Sequence, residues 1–185
     1  TKRGTWREIQ DKVIVPKNRL IELTKGSLTL GGLTVEPFSV SHDAADPIGI
    51  NVFAGNDKAT VVTDTGVISD DILRRLDDTT LLVLEANYDP HMLRFGPYQP
   101  FVKQRVASDE GHLSNEMAAQ ALLMMKRPNF MQVILAHRSE NNNNAVLVTQ
   151  TIGKMLVDGG VRIGPEMKLQ HGQPNEIVSI QSVKR

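Results

Sequence analysis

Three short polar clusters follow directly on apolar runs: Ser41-His42-Asp43 after a segment ending at Val40, Asp64-Thr65-Gly66 after Val61-Val62-Thr63, and His137-Arg138-Ser139 after Val133-Ile134-Leu135-Ala136. A strand that is apolar along its length and polar at its end carries the polar residue to one edge of its sheet, so His42, Asp64 and His137 are candidates for a shared edge. Imidazole and carboxylate together suit zinc or manganese, and a carboxylate is able to bridge two ions. The chain contains no cysteine, which excludes disulfides and thiolate metal sites, so any metal must be held by His, Asp or Glu. The spacing of the trio fits no local metal motif, and each residue taken alone reads as an ordinary structural side chain.

Further candidates surround this trio. His112 lies two residues before Ser114, a good helix N-cap, where free N–H groups and positive potential suit a phosphate. Lys103 and Arg105, with Arg94, offer charge for phosphate contacts. Asp43 and Glu85 stand beside strand ends, where a carboxylate orients a metal-bound imidazole through its second nitrogen. Asn87, Asp89, Asn141 and Asn142 read as caps and turns, His91 and His171 lack motif support, and Met117, Met124, Met125 and Met155 read as core filling.

These residues need elements to position them. Thr5 and Glu8 have capping-box spacing and predict a short helix starting at Thr5. From Arg19 to Val40 apolar residues alternate, with Lys25-Gly26 and Gly31-Gly32 as turns, which predicts an antiparallel meander. A second hairpin is expected through Ile48, Ile50 and Val52, turning at Gly55-Asn56-Asp57 and returning through Ala59 to Thr63. The texture then alternates: a helix from Ser69 to about Leu76, a strand over 80–84, a helix over 101–108, a longer one from Ser114 to about Lys126, a strand over 131–136, and a helix over 144–157 stopped by Gly159-Gly160. Short strands are expected from Val161 to Leu169 and over 177–183. A β-rich half followed by a β-α half implies a layered α/β domain.

Size and charge set bounds. A chain of 185 residues with 40% hydrophobic content predicts one domain spanning 1–185. Lys plus Arg (21) balances Asp plus Glu (21), so a nucleic-acid site must be a local patch. No apolar run approaches the roughly 18 residues of a membrane span, and the lack of cysteine suits the cytoplasm. The chain opens at Thr1, without Met, on what reads as interior sequence, so a truncated or processed protein is expected.

The order of the segments carries a resemblance. Pro-Phe-Ser-Val-Ser-His-Asp-Ala-Ala-Asp-Pro (37–47), Thr-Asp-Thr-Gly (63–66), Leu-Glu-Ala-Asn-Tyr-Asp (84–89), Gly-His-Leu-Ser-Asn (111–115) and Leu-Ala-His-Arg-Ser-Glu-Asn-Asn (135–142) together resemble the later motifs of the metallo-β-lactamase superfamily, in its bacterial YycJ/WalJ branch. The resemblance implies an αββα sandwich. It also implies metal ligation by His42, Asp64 (the bridging carboxylate) and His137, and adds weight to His112, with Asp64, as a catalytic residue; Lys103, Arg105, His112 and Ser114 are expected to face substrate phosphate on the charge and helix-terminus grounds above. Two divalent ions, zinc or manganese, would activate a hydroxide between them to hydrolyse DNA from a 5′ end. The superfamily's His-x-His-x-Asp-His signature is absent from the chain, so the fold is expected to be incomplete, lacking its first strands, with one ion or none retained. An uncovered sheet face is then expected, to be covered by an N-terminal piece or a second copy. Two alternatives stay open: a hydrolase of a small ester, lactam or thioester, and a non-catalytic scaffold or interaction fragment.

Overall fold

The alternating apolar residues of the first half do form strands. The computed structural model describes residues 1–23 and 26–180. Strands β1 (Leu28–Leu30), β2 (Leu33–Ser39), β3 (Ile48–Ala54) and β4 (Asp57–Val62) pair in sequence as an antiparallel meander. The β3–β4 turn rests on Gly55, whose φ of +58° is left-handed and costs glycine little. Lys25, of the expected first turn, lies outside the described residues, and Arg19 belongs to a 3-10 turn (Lys17–Arg19) rather than to the meander.

From β4 onward the connections cross over through helices and the pairing turns parallel. Helix α2 (Asp70–Leu76) leads to β5 (Leu81–Glu85). Helices α3 (Pro90–Phe95), α4 (Pro100–Val106) and α5 (Asn115–Met124) lead to β6 (Met131–Ala136), and α6 (Ala145–Asp158) leads to β7 (Met167–His171). Ser69 and Ser114 cap α2 and α5 as the sequence predicts, accepting from the backbone N–H of Ile72 and Met117. One seven-stranded mixed sheet results, in the order β1 to β7.

Register decides which face is buried. Thr60 and Val62 lie beside Leu82 and Leu84, which lie beside Val133 and Leu135. These side chains meet Ile72, Leu76, Leu122, Val148, Ile152 and Leu156 of α2, α5 and α6 in the main core. On the opposite face runs the row Pro37, Ile50, Val61, Val83 and Ile134. Val61, in the middle of that row, is 40% exposed. Trp6 and Ile9 share an apolar hollow with Leu28 and Val35 at the β1–β2 end of this face.

Four expectations differ. Helix α1 spans Arg3–Ile9, so Thr5 lies inside it and its hydroxyl donates to the Asp46 carbonyl (3.4 Å). Docking on the 45–46 segment, where Lys2 also pairs with Asp46 (2.8 Å), replaces the capping box. Helix α3 stands where no helix was expected from the sequence, although Asp89, read as a possible cap, does cap it. Met124 is 67% exposed, because α5 turns that position away from the sheet, whereas Met125 is buried. The tail after His171 forms no strand over 177–180, and 181–183 lie outside the described residues. Among the described residues no helix is long and apolar enough to cross a membrane.

Candidate metal centre

Strand direction gathers the chemistry. β4, β5 and β6 are mutually parallel, and β2, antiparallel to β3, which is antiparallel to β4, runs the same way. The residues just beyond their C-terminal ends therefore share one edge of the sheet, where open α/β sheets bind ligands. His42 follows β2, Asp64 follows β4, Glu85 ends β5 and His137 follows β6. His112 arrives from the loop between α4 and α5.

Glu85 is the hub of this group. Its side chain is fully buried, and Oε1 accepts from Nδ1 of both His112 (2.7 Å) and His137 (2.6 Å). Oε2 accepts from the backbone N–H of Thr65 (3.2 Å) and Leu113 (3.3 Å). Burial pushes the Glu85 carboxyl up, but the hydrogen bonds from His112 and His137, the charge of His112 and the Thr65 N–H outweigh it and hold the group below the ordinary carboxylate value. In return the Glu85 hydrogen bond raises His137 above the ordinary imidazole value, against the effect of burial.

Tautomers follow from these partners. Glu85, ionised, can only accept, so His112 and His137 carry their hydrogens on Nδ1. His42 turns Nδ1 to the Gly111 carbonyl (3.0 Å), also only an acceptor, and so takes the same tautomer. Neutral His42, His112 and His137 thus all present a bare Nε2 lone pair. Oδ1 of Asp64 stands 3.6 Å from Nε2 of His42 and 3.5 Å from Nε2 of His137, and the ring of His112 lies between theirs, with centroids 5.1 Å and 5.2 Å away. Ligating atoms of His42, Asp64 and His112 all lie within 4.8 Å of one another, as do those of Glu85, His112 and His137. Converging lone pairs on imidazole nitrogens and a carboxylate repel one another unless a cation or proton joins them, so the donor set fits a divalent ion held by nitrogen and oxygen.

The backbone is shaped to the same end. Asp64 (φ 56°) and His137 (φ 54°) are two of the four non-glycine residues in the left-handed region among those described. Their conformation turns each side chain off the end of its strand, at a cost of about 1–2 kcal/mol per residue. Thr65, fully buried, receives the Ser41 N–H on Oγ1, and Gly66 donates to the Ser41 carbonyl, tying two of the three loops together. A Cβ at Gly66 would collide with the backbone of Ser108 and Asp109, so the loop that delivers His112 packs directly on this turn. The four consecutive asparagines divide the remaining work. Asn141 donates to the Tyr98 hydroxyl (3.3 Å), and Asn142 is buried beside Gly96. Asn143 bonds the carbonyls of Ala86 (3.0 Å) and Asn87 (3.1 Å), and Asn144 caps α6.

The structure thus brings together His42, Asp64, His112, His137 and Glu85 of the residues singled out from sequence. Asp43 is placed differently: no second nitrogen of an imidazole is left for it, because His42 Nδ1 is taken by Gly111. Asp43 instead forms a two-point ion pair with Arg105 and lies 3.5 Å from Nε2 of His42. Ser114 is buried and spends its hydroxyl as the α5 cap, not toward a phosphate. Lys103 Nζ donates to the Arg94 carbonyl (2.8 Å) at the end of α3. His91 stacks on Phe95, and His171 Nε2 meets the Thr149 hydroxyl (2.9 Å), both apart from the cluster. Sequence reasoning missed the Gly111 carbonyl and the role of Asn87, whose amide holds the His137 carbonyl (2.7 Å). Neither carries a signal of its own in the sequence. A cavity of about 400 Å³ adjoins the cluster, lined by Asn87, Tyr98, Arg105, His112, His137 and Asn141 among others.

Comparison with known proteins supplies context for this geometry. The family model described as beta-lactamase superfamily domain matches residues 2–137. Exodeoxyribonuclease YycJ of Bacillus anthracis is 32% identical over 181 residues, covering 97% of this chain and 69% of the relative. Exodeoxyribonuclease WalJ of Streptococcus pneumoniae serotype 2 is 31% identical over 176 residues, covering 92% of this chain and 65% of the relative. The metallo-beta-lactamase fold protein YhfI from Bacillus subtilis superposes with a TM-score of 0.65 at 13% identity, covering 93% of this chain and 60% of that one. Zn²⁺-bound PqqB from Methylobacterium extorquens superposes with a TM-score of 0.52 at 16% identity, covering 80% and 48%. The chain therefore spans about two thirds of the length of these curated relatives, and the solved structures share its fold.

Proposed function

Because this chain belongs to the β-lactamase superfamily and has the metallo-β-lactamase fold, we propose that it is a metal-dependent phosphodiesterase acting on DNA from 5′ ends, residues 1–185 forming part of a single metallo-β-lactamase-like domain. The observation that carries this reading is the paired anchoring of His112 and His137 on buried Glu85, which fixes two imidazoles beside Asp64, with Nε2 of His137 3.5 Å from its carboxylate and a ligating atom of His112 within 4.8 Å. His42, Asp64 and His137 would hold the metal, zinc or manganese, Asp64 supplying the carboxylate and the two histidines their Nε2. When bound, such ions supply Lewis acidity toward a phosphoryl oxygen and bring the pKa of water near neutrality.

The chain's own residues do the rest. Glu85 fixes the tautomer and orientation of two imidazoles and raises the basicity of His137. His112 turns Nε2 to the scissile phosphate, where its protonated form donates a charge-assisted hydrogen bond. Arg105 exchanges Asp43 for a backbone phosphate at the rim of the cavity. A small ester, lactam or thioester substrate would call for a closed apolar pocket, whereas the cavity beside the cluster is lined by Asn87, Arg105, Arg138 and Asn141.

The test is hydrolysis of duplex DNA labelled at one 5′ or one 3′ end by the full-length protein loaded with zinc or manganese. Label released first from the 5′ end, and lost on chelation, is expected. Turnover confined to small esters, or cleavage indifferent to chelation, would refute the reading.

A further inference from the structure

We infer that the α3–α4 segment is a stacking platform for the unpaired bases of a DNA strand end entering the metal centre, an inference that rests on the nuclease reading above and names the form of its substrate. The composition of the segment is unlike the rest of the chain. Of five Phe, two Tyr and one Trp in the protein, four (Tyr88, Phe95, Tyr98 and Phe101) fall between residues 88 and 101. Residues 90 to 107 contain His91, Arg94, Lys103 and Arg105 and no Asp or Glu, in a chain whose formal net charge is zero. Basic residues interleaved with aromatic ones are the composition of a surface that grips a phosphate backbone while bases stack on its rings.

The structure then shows which rings are free. Tyr88 is buried and, with Leu93 and Val106, makes a small core of its own, against which Tyr98 and Val102 pack, separate from the main core. Each helix buries a single side chain, Leu93 in α3 and Val106 in α4. Phe95 and Phe101 stand outside it, 66% and 69% exposed, the only aromatic side chains among the exposed large hydrophobics of the described residues. Arg94 lies over the Phe95 ring at 5.3 Å and the His91 ring packs against it at 4.6 Å, so the position of that ring is already set by a guanidinium and an imidazole. The platform is held firmly. Proline starts both helices, and Gly96 between them sits so close to the Met92 carbonyl and Asn142 that a Cβ would not fit.

Continuity with the metal centre identifies the occupant. Tyr98, between the two exposed rings in sequence, lines the same cavity as Arg105, His112 and His137, and its hydroxyl is held by Asn141. Tyr98 and Arg105 line the cavity, and Phe101 stands one helical turn before Arg105 on α4, so the exposed ring of Phe101 shares a helix face with a residue of the cavity. Base faces are hidden inside a duplex, so rings at this position engage a strand whose end has frayed or is already single.

The experiment uses the full-length protein in chelator, so that nothing is cleaved. Phe95→Trp and Phe101→Trp are made in a Trp6→Phe background, since Trp6 is the only native tryptophan. Titration with a short oligothymidylate should quench the introduced indole at each site. Phe95→Ala with Phe101→Ala should weaken binding of the oligothymidylate about tenfold or more, and the leucine pair, which keeps the apolar area without the π face, should weaken it as much. The melting temperature should hold in all of these variants, since neither ring is in the core. Wild-type binding by the leucine pair, unquenched indoles at both sites, or equal competition by a closed DNA dumbbell with no free end would overturn the platform. Turnover of bis(p-nitrophenyl) phosphate by the metal-loaded wild type reports separately on the nuclease reading. If that turnover is absent the catalytic reading falls, while quenching still decides the platform.

Discussion

Oδ1 of Asp64 stands 3.5 Å from Nε2 of His137, and both residues reach that position from left-handed backbone, at φ 56° and 54°. Two carriers of the same unfavourable conformation, one strand apart from each other across β5, place their ligating atoms off the ends of β4 and β6 instead of along them. Residues held in sparsely populated conformations persist when the surrounding structure over-determines them, and such positions cluster at functional sites.

Asp64→Asn separates charge from shape. Asparagine tolerates left-handed backbone nearly as well as aspartate, so the turn and the fold should persist while the anionic ligand is lost. Hydrolysis by the full-length protein should fall by more than the roughly 10- to 100-fold typical of losing an outer hydrogen-bond partner, and DNA affinity measured in chelator should stay the same. Retained turnover would exclude Asp64 as a ligand.

Glu85→Gln tests the hub. With its oxygen in the Oε1 position the amide can still accept from both imidazoles, but its N–H₂ then faces the backbone N–H groups of Thr65 and Leu113; turned over, it faces both Nδ1–H groups. Metal affinity, measured by competition with a chromogenic chelator, should drop about 10- to 100-fold with secondary structure intact. Unchanged affinity would reduce the Glu85 contacts to packing.

The same pair sets a pH dependence for the metal-free protein. His137 is raised by its Glu85 hydrogen bond, so its contribution to stability is complete below the ordinary value of 6.5 and is lost as pH climbs through the raised one. Glu85 is lowered, so its contribution is complete above 4.5 and is lost as pH falls through the lowered value. The melting temperature should therefore be highest between these limits and decline on both sides, and Glu85→Gln should flatten both limbs. Metal requires the neutral imidazole, so affinity should rise with pH through the His137 transition, with proton release detectable by calorimetry in buffers of differing ionisation enthalpy. A flat profile, or one shared by Glu85→Gln, would sink this assignment.

If Arg105 takes up a DNA phosphate as proposed, Asp43 is its competitor. The two-point pair holds Arg105 at the mouth of the cluster, and Lys103 is spent on the Arg94 carbonyl. Arg105→Ala should weaken DNA binding and lower the salt slope by about 0.7 to 0.9, the share of one phosphate contact. Lys103→Ala should do less, and Asp43→Asn should tighten binding by freeing the guanidinium. Equal losses from both alanine variants, with no gain from Asp43→Asn, would show that Arg105 stays in its ion pair when DNA binds.

Much of the frame was legible in the sequence because its causes are local. The β3–β4 hairpin follows from alternation about Gly55, the starts of α2 and α5 from Ser69 and Ser114, and β6 from an apolar run of strand length, each set by residues a few positions apart. The polar strand ends also picked out His42, Asp64 and His137 in the same way. Only the tertiary structure decided which groups meet, because partners such as Glu85 and His137, or Asp43 and Arg105, lie 52 and 62 residues apart and are joined by crossovers and register. Thr5 and Ser114 show the limit from the other side: both carry a hydroxyl at capping spacing, but the first helix, docked on Asp46, starts at Arg3, ahead of Thr5, while capping α5 buries Ser114 away from any phosphate. Local pattern sets what a segment becomes; the competition among distant partners for a few buried donors and acceptors sets what its side chains do.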